Sequence, residues 1–204
     1  SLNHAISQVS PGDTILVANG TYEGFRNFNY SGVDGSPITL KANGTSVILD
    51  RGLSGNRDII ELNGVTHFVV DGFEIRNATR AGIAIIDADD ISIRNNDIGP
   101  NQIWGILTGF ATNLEIVNNR TFNSSEQHGI YVSNSRVSND NAVIKGNVVY
   151  GNHQNGIQVN GDCEVGGDGV ITDSIIEGNR VYNNGWKGLS LISFSDSIVR
   201  NNII

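Results

Sequence analysis

Residues 82–96 read GIAIIDADDISIRNN, and the same plan returns four more times along the chain. Glycine opens it, apolar residues alternate behind the glycine, and an asparagine closes it. The opening segments are GIAII from Gly82, GILTG from Gly105, GIYVS from Gly129, GIQVN from Gly156 and GLSLI from Gly188, spaced 23, 24, 27 and 32 residues apart. The closing segments are SIRNNDI, EIVNNRT, VIKGNVV, IIEGNRV and IVRNNII, which align Asn96, Asn119, Asn147, Asn179 and Asn202. An earlier VVDGFEI puts Phe73 in that column. Two registers that agree independently mark an internal repeat, with each repeat one structural coil.

Each apolar-x-apolar triplet predicts a short strand with alternate residues facing inward. One coil buries too little to stand alone, so coils must stack and share a core. Asparagines recurring at one turn position predict a ladder, each side-chain amide donating to the next coil's carbonyl. The fold expected is all-β, a right-handed parallel β-helix, one domain over residues 1–204. Leu2, Ala5, Ile6 and Val9 share one helical face, which predicts a short N-terminal helix capping the core. Pro11-Gly12-Asp13 ends that helix, and a strand starts at Thr14. Residues 198–204 are still in register. We therefore expect the natural chain to continue past Ile204, or a neighbouring copy to stack on that coil.

Composition supports many strands and turns. The 204 residues include 25 Gly and 27 Asn, no Met and 3 Pro. Long helices want Ala, Leu, Glu and Lys instead. The net charge is -8 with no basic run, so nucleic acid is not an expected partner. No apolar run approaches the roughly 18 residues of a membrane span, so no membrane partner is expected either. A single Cys163 forms no internal disulfide. Asn-x-Ser/Thr triplets at Asn19, Asn29, Asn43, Asn77, Asn119 and Asn123 are of the number chance supplies in so Asn-rich a chain.

The opening, with its apolar helix and then PGDTILVANGTYEG, GSPITLKANG and VILD, resembles the N-terminal region of polysaccharide lyases of the alginate lyase and chondroitinase B type. The later coils, HGIYVSN, GNVVYGN, NGIQVNGD and IIEGN, are similar to the broader pectate-lyase-like superfamily. The resemblance covers nearly the whole chain and rests on turn and core positions. It implies a secreted or cell-surface protein that acts on, or binds, polysaccharide. The Asn, Glu-x-Glu and Lys arrangement of the first group is missing here, as is the Asp-Pro-His-Glu signature of the calcium-dependent epimerases.

Alternation turns Leu107, Tyr131 and Gln158 outward, with Ser133 and Asn160 in a second outward column. Trp104, His128, Asn155 and Lys187 precede the glycines. Substrate-binding candidates are thus Trp104, Asn155, Gln158 and Asn160, since rings and amides suit a sugar's apolar face and hydroxyl edge. For β-elimination on a uronide, one group neutralises the carboxylate, one removes a proton and one protonates the leaving oxygen. His128, Tyr131 and Lys187 are the candidate catalytic residues for that work. The longest coils add loops at 134–141 and 161–173, expected to wall a groove over Tyr131 and Gln158. Asp162, Glu164 and Asp168 in the second loop are hard oxygen donors of the kind calcium takes. The same carboxylates offer the pair that glycoside hydrolysis needs. A glycan-binding adhesin without catalysis and a structural surface or fibre protein are the alternatives.

Overall fold

A computed structural model describes every residue except 53, 134, 135, 137, 138, 162, 164 and 165. Its strands pair almost entirely in parallel, each with its counterpart one coil earlier and one coil later. The result is a three-faced parallel β-helix. The first face is a 7-stranded sheet from Phe25–Asn27 through Ile60–Asn63, Ala81–Ile86, Trp104–Gly109, Ile130–Ser133 and Ile157–Asn160 to Leu189–Ile192. The second runs from Thr66–Asp71 to Ile198–Arg200, and the third from Glu74–Arg76 to Arg180–Tyr182. The long strands Thr14–Tyr22 and Ile38–Asp50 bend through both of these faces and join them into one 13-stranded sheet.

The two sequence registers correspond to the first and second faces. Ile83, Ile106, Ile130 and Ile157 stack inside the first, and Ile91, Ile93, Leu114, Ile116 and Ile144 inside the second; all are at most 1% exposed. Leu191, which alternation also turns inward, lies in the last coil of the 204 residues and is 37% exposed there. The third face was not resolved by the sequence reading. Its strands are only two or three residues long, too short to show alternation.

The asparagine column forms a buried ladder. Asn96, Asn119, Asn147 and Asn179 each accept, on the side-chain oxygen, the backbone N–H of the column residue one coil earlier. The distances are 2.9–3.0 Å. Their amide nitrogens donate backward to Val70, Ile93, Ile116 and Ile144 carbonyls, not to the next coil's backbone as expected. Toward the next coil the same nitrogens meet the side-chain oxygen of the following Asn. This direction satisfies the carbonyl left free where the second face ends and the chain turns.

A left-handed residue precedes each ladder position: Gly72, Asn95, Asn118, Gly146, Gly178 and Asn201 have φ between 56° and 89°. Only Gly and Asn enter that region readily, which is why the motif reads NN or GN. The glycines opening each repeat answer a different need. A Cβ on Gly129 would lie 2.5 Å from Val149 Cγ1 and 2.9 Å from the Gly156 carbonyl oxygen. The third and first faces meet at a corner too tight for a side chain.

The N-terminal helix spans Leu2–Ile6, shorter than the apolar pattern, with Leu2 and Ile6 buried against the first coil. Val9 lies beyond the helix and packs on the core from the following turn.

Candidate functional site

The outer surface of the first face carries a groove of about 560 Å³. Its floor is Leu107, Tyr131 and Gln158, which the parallel register stacks on successive coils. One wall is Trp104, His128, Gln127 and Gln154, from the approach to the glycine corner; Trp186 stands at one end and Ile86 at the other. No Asp, Glu, Lys or Arg is among the described lining residues.

Most of these side chains are held before any ligand arrives. Tyr131 stacks on His128, with centroids 5.6 Å apart and planes within 17°. Trp104 leans on Tyr131 at 6.3 Å and 33°. The Tyr131 hydroxyl accepts from Asn160 Nδ2 at 3.0 Å. Asn155, only 4% exposed, donates through Nδ2 to Gln158 Oε1 and accepts the Lys187 backbone N–H on Oδ1 at 3.1 Å. His128 is 5% exposed, and burial pushes its pKa down to about 4. Its Nδ1 accepts the Asn155 backbone N–H at 3.1 Å. The neutral ring therefore carries its proton on Nε2 and acts as a donor.

The structure thus brings together Trp104, His128, Tyr131 and Gln158, with Asn155 and Asn160 positioning Gln158 and Tyr131 from behind. Lys187 is not in this company: its side chain is exposed and outside the lining. Its position is a buried one in the coils before, where His128 and Asn155 sit, and an ammonium goes to water instead. None of the described residues of loops 134–141 and 161–173 lines the groove, contrary to expectation. Arg136 turns the other way, pairing with Asp87 and lying 4.1 Å over the Phe110 ring. Asp162 and Glu164 lie outside the described residues. Asp168 is exposed and caps the Val170 N–H at 3.2 Å. Among the described residues no three His, Cys, Asp or Glu gather as metal ligands.

Sequence reasoning missed Gln127, Gln154 and Trp186. They sit one residue before the His128, Asn155 and Lys187 that it singled out. A signal existed in that stack, since all three sit at equal distance ahead of Gly129, Gly156 and Gly188. A second aromatic row, Phe122–Tyr150–Tyr182, lies on the third face. Its rings are parallel within 8° at 5.2–5.4 Å, so they cover one another's faces and leave mainly edges outward. In the groove Tyr131 stacks on His128, and Trp104 is tilted against Tyr131.

The same fold occurs in solved polysaccharide lyases. The alginate lyase from Paenibacillus sp. str. FPU-7 superposes with a TM-score of 0.71 at 21% identity, covering 98% of this chain and 72% of that one. A rhamnogalacturonan lyase gives 0.69 at 16%, over 99% of this chain and 57% of that one. Pectate lyase Pel9A gives 0.68 at 19%, over 91% of this chain, which spans 49% of the lyase's length. At these identities the similarity is one of fold. The family model described as the periplasmic copper-binding protein NosD matches residues 6–204, nearly the whole solenoid, and the chain belongs to that family.

Proposed function

We propose that this protein works outside the cytoplasm as a glycan-binding β-helix that holds a polysaccharide segment in the first-face groove. The observation that carries the reading is the lining. Rings of Trp104, Tyr131 and Trp186 offer apolar faces, and Gln127, Gln154 and Gln158 offer donors and acceptors at their edge. A sugar ring presents the same two surfaces, an apolar C–H face and a polar rim, and mostly apolar pockets with a few fixed polar groups are how small ligands are held. Preorganisation by Asn155 and Asn160 lowers the ordering cost of binding. The family description, which is periplasmic, supports the location, and the solved lyases of the same fold make polysaccharide the first class to test.

The geometry favours binding over cleavage. β-Elimination needs a group to neutralise the uronide carboxylate, and no cation lines the described groove. His128, with Nδ1 already occupied, has no free lone pair for taking a proton. Copper, which the family description gives to its namesake, does not fit the residues present. Soft copper ligands are thiolate and thioether, and the chain has one Cys and no Met. Of its four His, His128 is buried with Nδ1 accepting from Asn155, and among the described residues no three His, Cys, Asp or Glu gather as ligands.

The chain's two tryptophans both line the groove, so intrinsic fluorescence reports on it directly. The test is a fluorescence titration against neutral and uronic polysaccharides, with and without calcium, while reducing ends and the absorbance of unsaturated uronides are followed. A saturable change without product is expected. Product of either kind would make the protein an enzyme, and silence across the panel would remove the reading.

A further inference from the structure

We infer that the groove selects an uncharged glycan, laid along the solenoid axis, over the uronic acid polymers that solved proteins of this fold are named for. This rests on the glycan reading of the groove and narrows it. Recognition of a carboxylate on every sugar calls for a cation at each step, usually Arg in a forked contact. The described lining has none. Of the cations around the first face, Arg26 pairs with Glu61, Arg80 with the fully buried Asp58 and Arg136 with Asp87, while Arg57 and Lys187 are exposed and outside the described lining. Asp58 is joined to Arg80 through Nε at 2.8 Å and through the second nitrogen as well. His128 adds no positive charge near neutrality, since burial keeps it unprotonated well below pH 7. A net charge of -8 opposes a polyanion from a distance as well.

What the groove does offer is suited to hydroxyls. A hydroxyl both donates and accepts, and so does a primary amide. Gln127, Gln154 and Gln158 supply that ambivalence on two adjacent coils, while a carboxylate would use only their donor half. The direction comes from the repeat. The lining reaches from Ile86 to Trp186 across five successive coils of the first face. At the strand spacing of about 4.8 Å this is roughly 19 Å along the axis. One pyranose ring is about as long as one coil step, so successive rings meet successive coils.

The experiment titrates the 204-residue chain at pH 7 with two ladders of oligosaccharides, followed by tryptophan fluorescence and by calorimetry. One ladder is neutral (glucan, mannan and xylan), the other uronic (oligogalacturonate and oligoalginate). We expect at least one neutral series to bind at least tenfold more tightly than either uronic series. Its affinity should rise with length up to about four sugars and then level off. Trp186→Ala, at a site 69% exposed and so harmless to folding, should lose that affinity about tenfold with an unchanged melting curve. Lys187→Ala should leave it unchanged. Uronic chains binding as well as neutral ones would overturn the inference while sparing the glycan reading; loss of that binding in Lys187→Ala would name the missing cation. Affinity independent of length would overturn the axial placement. Failure of both ladders would overturn the glycan reading itself.

Discussion

Asn119 shows how much one side chain does in this fold. Its oxygen accepts from the backbone N–H and the amide of Asn96, and its nitrogen donates to the Ile93 carbonyl and to Asn147. All of this is buried, so Asn119→Ala leaves a main-chain donor and a main-chain acceptor unsatisfied. A loss of about 3 kcal/mol is expected in urea unfolding, since each stranded buried group costs about 1–3 kcal/mol. A loss below about 1 kcal/mol would mean that the ladder is ornamental. His128 makes a prediction in pH. Its folded pKa of about 4 lies below the ordinary 6.5, so between those values the unfolded chain takes up a proton that the folded chain refuses. Its contribution is therefore complete above pH 6.5 and is lost as pH falls toward 4. The slope from this one group is at most about 1.4 kcal/mol per pH unit. Other carboxylates titrate nearby, so the measurement is the difference between wild type and His128→Gln across pH 4–7. Parallel profiles would show that His128 is not buried as described.

Among elements, the glycine corner and the paired strands of the first face set the groove's shape. Gly129→Ala puts a methyl group against Val149, Asn152 and the Gly156 carbonyl, all within 2.9 Å. Overpacking of this kind costs about 1–3 kcal/mol, and because Gly129 lies between His128 and Tyr131 the glycan affinity should fall with it. Asn155→Ala and Asn160→Ala act differently. They release Gln158 and Tyr131 without removing a lining residue, and should weaken binding between about two- and tenfold while the aromatic floor stays in place. Equal loss for a ligand too short to reach either residue would show misfolding instead. The same elements explain what could be read in the sequence. Strands of four to six residues, such as 81–86 and 104–109, declare their inward face through alternation, and identical asparagines align themselves. The third face hides because strands such as Asp97–Ile98 carry one inward residue each. Its own turn ladder, Asn101, Asn152 and Asn184, escapes because Ala78 and Ser124 interrupt the identity: their backbone N–H groups still donate to Asn101 and Asn152, but Ser124 Oγ and Asn101 Nδ2 are buried without a partner. The outward parity of Tyr131 and Gln158 was legible. The exclusion of Lys187 was not, because a position buried in two coils becomes exposed in the next, where a charge stands in a coil whose apolar residues are themselves partly exposed.

At the scale of the molecule, the solenoid has no centre, only neighbours. Each coil is stabilised by the ones before and after it, so stability is set by nearest-neighbour interfaces and need not be uniform along the axis. The middle coils are sealed: Ile106, Ile130 and Ile157 have no exposed surface. In the 204-residue chain the coil at 189–204 is not, with Ile198 at 47%, Val199 at 44% and Ile203 at 69%. In that chain its amides should open by local fraying well before the whole unfolds. Native-state hydrogen exchange is expected to protect Ile106 and Ile130 at least about a hundredfold more than Leu191 and Val199, with a monotonic fall between. The groove straddles this gradient, since Tyr131 lies on a sealed strand and Trp186 on the approach to the exposed coil. A bound glycan that touches both should therefore raise protection most at its Trp186 end, where there is most opening to suppress. Uniform protection from coil to coil in the free protein would refute the nearest-neighbour picture. A gain confined to the Tyr131 end would place the ligand short of Trp186, and leave that tryptophan without the role assigned to it.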